Sequence, residues 1–414
     1  MAAGKRKDNK GRNLRQGENQ RADGRYMYRY TDTDGSRKTI YSMDLAELRE
    51  MEREIERNLE DGISTDTKTT LNDMYHRYMQ SKSELKGTTK GNYAYMYEHF
   101  VMNTSLGKKQ VSKIKYSDVK AFYNNLIKEG MSANTVDNVH TLIHPILTIA
   151  VRDGIIRSNP SDGVMAEIKK SHHFEKPQRH ALTVPQQERL LEFLNQSDMY
   201  RHWKNLLTVF LGTGCRVSEL IGLRWDDVDM QNNIISINHN CVYQLHGEGR
   251  SEFHITTPKT SAGCREIPML SDVKKALQDE MAFQFMTGGQ NKVVLYDEQG
   301  NEYKNFIFSN RYNGIFIPTT INRALKRIVD ACNEQEQEKA KKEHREPVLI
   351  PQFSVHQLRH TFCTRFCENE TNVKVIQEIM GHKDIQTTMN IYAEATREKK
   401  QQTMEHLEGK FKIS

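Results

Sequence analysis

The apolar positions along this chain change period twice. In "RYMYRY" they alternate, so that Arg25, Met27 and Arg29 fall on one side of an extended strand and Tyr26, Tyr28 and Tyr30 on the other. Asp23-Gly24 and Asp34-Gly35 bracket this run, predicting tight turns and a small three-stranded antiparallel sheet. The spacing then lengthens. Leu45, Leu48, Met51, Ile55 and Leu59 recur at helical intervals and form a stripe able to cover the tyrosine face of a sheet too small to fold alone. From about residue 69 to 170 the pattern stays helical, in Leu71, Met74, Tyr75 and Tyr78, then in 93–100, 119–126 and 136–149. This predicts an all-α bundle of four or five helices, with Ser132 as a start signal and Asn159-Pro160 ending the last long one.

"KKSHHFEKPQRH" is polar and broken by Pro177, as an extended linker would be. Beyond it, Thr183 caps a helix with Pro185 in its first turn. "NNIISINHN", "EFHITTPKT" and "CREIPM" read as strands in a third, mainly α (α+β) domain. Asn333 to Pro347 shows no apolar face and is expected to be an exposed helix end or loop. At 414 residues the chain is multidomain, with expected boundaries at 1–66, 67–170, a linker 171–180, 181–398 and a tail 399–414.

Charge adds a partner to this picture. The formal net charge is +6, but residues 1–40 hold eleven Lys/Arg against five Asp/Glu, whereas residues 44–61 hold eight acids and three bases. The positive charge is therefore placed on the sheet, where Arg25, Arg29, Arg37 and Lys38 are candidate DNA contacts. Lys108 and Lys109 lead a second basic side, on the bundle. The six cysteines include no C-x-x-C pair and read as reduced intracellular thiols. Cys363 and Cys367 are one helical turn apart without a second ligand pair, so no metal site is expected. No leader and no run of eighteen apolar residues is seen, so a cytoplasmic protein without a membrane partner is expected.

Four segments carry possible chemistry. In "PQFSVHQLRHTFCTRF", Ser354 and Gln357 fit a capping box, placing His356 and Arg359 one turn apart at a helix start whose backbone N–H groups and dipole favour an anion. A lone H-x-x-R is common by chance. In "LLTVFLGTGCRVSEL" an apolar helix breaks at Gly212–Gly214 and resumes around Arg216 and Glu219, a pairing that can orient the guanidinium toward a phosphate. Lys259 lies in a polar turn between two strand-like runs, where it can protonate a leaving oxygen. In "VIQEIMGHKDIQTTMNIYAEAT" a helix stops at Gly381, His382 lies in the turn, Asp384 caps the next helix, and Tyr392 shares a face with Ile385 and Met389. A phenol oxygen can attack phosphorus when its neighbours neutralise the phosphate.

Taken together, "GTGCRVSEL", "PKTSAGCREIP", "HQLRHTF" and "MGHKDIQTTMNIY" resemble the tyrosine recombinase (phage integrase) family, in the order Arg216, Lys259, His356, Arg359, His382 and Tyr392. The likeness extends over "GRYMYRYTDTDG" and the middle bundle and is greatest toward integrases of conjugative transposons. It implies an arm-binding sheet domain, a core-binding bundle and a catalytic domain acting on double-stranded DNA. It also implies a 3′-phosphotyrosyl intermediate, no cofactor, a synaptic tetramer, and an excisionase or host DNA-bending protein as accessory. By this likeness Glu219 supports the site and the tail after Tyr392 packs on a neighbouring protomer. A regulator without catalysis would need the basic sheet and bundle but not Tyr392. A type IB topoisomerase would share the chemistry but not the arm domain, and a nuclease would want a metal or a water-activating base.

Overall fold

The computed structural model describes residues 6–33, 35–64, 68–85, 87–171, 180–246, 250–258 and 261–395. They form two compact units, within residues 1–176 and 177–414.

The first unit opens with the expected antiparallel sheet, strands Glu18–Gln20, Tyr26–Thr31 and Arg37–Ser42 side by side in that order. Gly24 and Gly35 close its turns with φ of 87° and 79°, a region closed to most side chains and the reason glycine follows aspartate there. Tyr26 and Tyr28 are buried beneath Leu45, Leu48 and Ile55 of the helix Leu45–Glu60, which Asp44 caps by accepting from the Ala46 N–H. The opposite face shows Arg25, Arg29 and Arg37 to solvent, and the guanidinium groups of Arg21 and Arg25 lie 5.6 and 5.9 Å from the Tyr41 ring centre. Two expectations change. Met27 is buried although it shares the arginine side, and Lys38, opposite Tyr30 in the register, faces the other way with its ammonium on the buried Asp32.

The bundle follows as helices Leu71–Ser81, Gly87–Phe100, Tyr116–Lys128, Ala133–Arg152 and Val164–Ser171. Its core is built on the stripes read from sequence, with Tyr97, Tyr123, Leu142, Ile143 and Ile146 closed to water. The long helix stops at Arg152, before Asn159, because Asp153 and Gly154 turn the chain. Asn159 instead ties the following loop back to that helix, its Nδ2 donating to the His144 carbonyl at 3.0 Å. Lys108 is exposed, whereas Lys109 is 2.7 Å from Asp118.

In the second unit Thr183 caps Val184–Gln196 with a reciprocal capping box, as the sequence predicts. Strands Val228–Asp229, Ile234–Ile237 and Arg265–Pro268 form a small antiparallel sheet, and Asn240–His246 pairs with Arg250–Thr256 as a hairpin. Helices Lys204–Thr213, Pro318–Glu343 and Val355–Asn369 contribute to the surrounding core. The segment expected to be an exposed end is helical to Glu343, and its Glu336 is buried. Arg345 and Arg189 close on that carboxylate at 2.5 and 3.1 Å, and the hydrogen bonds from Arg345 lead in holding it down at about 2. A charge network thus replaces the missing apolar face. No helix among the described residues is long and apolar enough to cross a membrane.

The sheet domain hides a second charge cluster. Arg49 forks onto the buried Glu18 at 2.8 and 3.0 Å, while the neighbouring buried Glu52 lies against Glu18 itself, with Arg15 3.6 Å away. Burial first, then the charge on Glu18, pushes Glu52 up to about 7 from 4.5. A carboxyl whose folded value is raised binds its proton more tightly in the native state, so stability falls as pH rises between those values. Glu52→Gln is expected to raise the thermal midpoint of this domain at pH 8 and to leave it unchanged near pH 4, read by circular dichroism at both values. An equal shift at the two pH values would contradict this assignment.

Candidate active site

Two helix breaks bring the candidate residues together in the second unit. Helix Lys204–Thr213 ends at Gly214 with φ of 61°, and helix Val373–Met380 ends at Gly381 with φ of 62°; both turns need the left-handed conformation that glycine adopts freely. Each turn then presents a carbonyl to an arginine from the other segment. Arg216, the residue before helix Val217–Ile221, donates from Nη2 to the Gly381 carbonyl at 2.8 Å. Arg359, in helix Val355–Asn369, donates from Nη1 to the Gly214 carbonyl at 2.7 Å and from Nη2 to the Met380 carbonyl at 2.6 Å. The two guanidinium groups, far apart in sequence, are thereby held on one framework.

Glu219 completes that framework as expected for the break around Arg216. Its side chain is 2% exposed and meets Arg216 Nη1 at 2.6 Å, and it also accepts from the Arg216 backbone N–H at 2.8 Å. A residue that sequence reasoning missed takes the other side. Arg265 donates from Nη1 and Nη2 to the two Glu219 oxygens at 3.1 and 2.8 Å and from Nε to the Ile379 carbonyl at 2.6 Å. The signal for it was present: Arg265 lies two residues before the buried Ile267, so it shares the inward side of its strand, where a charge demands a buried partner. Burial pushes Glu219 up, but the hydrogen bonds and charge of Arg265, with the charge of Arg216, hold it down at about 2.

Three guanidinium groups around one carboxylate leave this interior with excess positive charge, and its neighbours register it. Burial first, then repulsion from Arg216, lowers Arg359 to about 10, which still leaves it charged at neutral pH. His382, buried beside them, is lowered to about 4 by burial, then by Arg359, Arg216 and Arg265, and is neutral. Its Nδ1 lies 2.9 Å from the Thr388 hydroxyl, a partner unnoticed in the sequence. His356 is exposed at the start of its helix and also helps to lower His382.

The helix start itself differs from the expectation of an anion held by backbone amides. The Ser354 N–H donates to Gln357 Oε1 at 3.0 Å and the Val355 N–H to Asn322 Oδ1 at 2.9 Å, so side chains must supply most of any anion binding there. Tyr392 lies in the helical residues 385–395, begun by Asp384 accepting from the Gln386 N–H at 2.9 Å. It is half-buried against a cluster of Cys363, Cys367, Ile376, Met380 and Ala395. Lys259 and the tail beyond residue 395 lie outside the described residues.

A helix-rich unit that gathers two crossed arginines and a buried histidine, with a tyrosine on the next helix, has the fold of the tyrosine recombinases. The phage integrase family model matches residues 180–399, the model of the DNA binding domain of tn916 integrase residues 2–59, and the phage integrase SAM-like domain residues 70–170. The chain belongs to the phage integrase family. It is 31% identical over 406 residues to the transposase from transposon Tn1545 of Streptococcus agalactiae and 30% identical to that from transposon Tn916 of Enterococcus faecalis, each alignment covering 95% of this chain and 94% of the relative. Among solved structures it is similar to the Tn1549 transposon integrase in complex with transposon right end DNA, with 27% identity, a TM-score of 0.67, and coverage of 82% of this chain and 99% of that one.

The glycine at the second break is tightly enclosed. A Cβ on Gly381 would come within 2.9 Å of the Ala262 carbonyl oxygen and 3.0 Å of Arg265 Nη1, in a backbone conformation that side chains rarely adopt. Gly381→Ala is expected to destabilise the second unit by about 1–3 kcal/mol, measured by urea unfolding; an unchanged unfolding midpoint would contradict this.

Proposed function

We propose that this chain is a site-specific DNA recombinase that integrates and excises a mobile element by cutting and rejoining strands through a 3′-phosphotyrosine. The observation that carries this reading is the mutual anchoring of Arg216 and Arg359, whose guanidinium groups, fixed by carbonyls and Glu219, surround the neutral His382 with uncompensated positive charge. An anion with several oxygens meets that need, and the DNA complexes of the similar Tn1549 integrase support a phosphodiester in the role.

In this mechanism the Tyr392 oxygen attacks phosphorus and the DNA 5′-oxygen leaves. Lys259 protonates that oxygen, and His356 exchanges a proton with Tyr392. Arg216 and Arg359 stabilise the charge that grows on the non-bridging oxygens. In the tautomer whose Nδ1 accepts from the Thr388 hydroxyl, His382 carries its proton on Nε2 and can donate it in one hydrogen bond to the phosphate. A 5′-hydroxyl from a second strand reverses the step on new DNA. One phosphodiester is exchanged for one phosphotyrosyl ester at each stage, so no external energy source enters the balance.

The arginine face of the N-terminal sheet supports a second DNA contact, at arm-type sites, through Arg25, Arg29 and Arg37. Lys38 is left out of it by its pairing with Asp32. Lys108 is free to approach core DNA, whereas Lys109 would first exchange Asp118 for a phosphate. The reaction further calls for other copies of the chain in a synaptic tetramer, an excisionase or host DNA-bending protein to set its direction, and the bacterial nucleoid as its place of action.

Incubation with a nicked duplex carrying its recombination site is expected to give an SDS-resistant protein–DNA species. Tyr392→Phe is expected to bind that duplex normally and give none; an adduct from Tyr392→Phe would refute the assignment. Arg359→Ala should slow adduct formation by roughly 10²–10³-fold, by analogy with the loss of an oxyanion-hole donor. Deleting residues 1–62 is expected to abolish arm-site binding in a gel-shift assay while cleavage of the core site continues.

A further inference from the structure

We propose that Arg265 is a positioning residue that aims Arg216 at the scissile phosphate by fixing both of its anchors; this rests on the recombinase reading above. Arg216 is held at two points, the Glu219 carboxylate and the Gly381 carbonyl. Arg265 grips the first directly and the second through the chain that leads into its turn. Its fork meets both Glu219 oxygens, and its Nε holds the Ile379 carbonyl, two residues before Gly381 in the turn that also carries the Met380 carbonyl of Arg359 and the His382 ring.

Arg265 does not itself bind substrate. Its side chain is 5% exposed, and its Nη1 also reaches the Gly263 carbonyl at 3.3 Å, so four of its five N–H groups are engaged within the protein. Arg216 presents the opposite balance, with a side chain 38% exposed and two N–H groups engaged by described residues. One arginine is spent on architecture so that the other can face outward. The buried Glu219 carboxylate needs both cations. Without Arg265 it would be left with Arg216 as its main partner, would draw that guanidinium inward, and would take up a proton at a higher pH than it does now.

The test is single-turnover adduct formation on the nicked duplex, measured from pH 5 to 8 in the full-length chain. Arg265→Gln is expected to slow adduct formation at least tenfold at pH 7, with DNA affinity within twofold of wild type, and to add an acid limb that the wild-type profile lacks. Glu219→Gln/Arg265→Gln, which leaves no unpaired buried carboxylate, is expected to lose that limb and remain slower than wild type. Arg265→Lys is expected to rescue only in part, since an ammonium cannot fork across Glu219 while holding the Ile379 carbonyl.

A wild-type rate in Arg265→Gln, an equal loss of DNA affinity, or the same acid limb in the double variant would each overturn the proposal. Should Arg265→Gln fail to fold, the double variant decides: slow cleavage with normal binding supports the role, and a wild-type rate overturns it. If the wild-type chain forms an adduct that Tyr392→Phe does not, failure of the Arg265 series sinks this inference alone. Absence of any wild-type adduct sinks both readings.

Discussion

The catalytic unit is organised by the problem of holding like charges together. Arg216, Arg265 and Arg359 approach one another in an interior where repulsion is only weakly screened, and a single buried carboxylate cannot balance them. Backbone carbonyls do the remaining work. Gly214, Ile379, Met380 and Gly381 each turn an oxygen toward a guanidinium, which is possible because two helices end there and their last carbonyls have no helical partner. Helix termination and the gathering of the guanidinium groups are therefore one structural event in this chain. A glycine in the left-handed conformation is its hinge at both ends.

The same logic explains the division of labour among charged side chains. A buried arginine with nearly every N–H engaged is a structural member, as Arg265 is. An arginine with comparable partners but an open side, such as Arg216, can receive a ligand. Histidine follows a parallel rule: burial and the positive surroundings keep a second proton off His382, and its ring lies against the Thr388 hydroxyl. In the N-terminal domain the arrangement is inverted. Burial collects carboxylates under the sheet at Glu18 and Glu52 and leaves the guanidinium groups of Arg25, Arg29 and Arg37 outside.

Much of this was legible in the amino-acid order because it is local. The tyrosine alternation, the Thr183 cap and the stripes of the bundle each depend on residues within a few positions of one another, so period and capping chemistry suffice. The pairing of Arg216 with Glu219 was readable for the same reason. What escaped depends on contacts across long stretches of chain. The helix through Asn333 had no apolar face because Arg189 and Arg345 solvate its buried Glu336, and neither arginine can be assigned to it by spacing. Arg265 looked like an ordinary strand residue until its partner, 46 positions away, was known. Lys38 counted as part of a basic patch, although strand parity already put it on the side opposite Arg37.

The crossed anchoring of Arg216 and Arg359 has an evolutionary corollary. Arg359 rests on the turn that precedes Arg216, and Arg216 rests on the turn that follows the helix after Arg359, so each half of the site is a scaffold for the other. Drift in one turn alters the geometry of a cation encoded more than a hundred codons away. Recombination between diverging homologues that exchanges only one of these halves would separate co-adapted turns, and such chimaeras should fall out of a lineage sooner than point variants at either arginine's periphery.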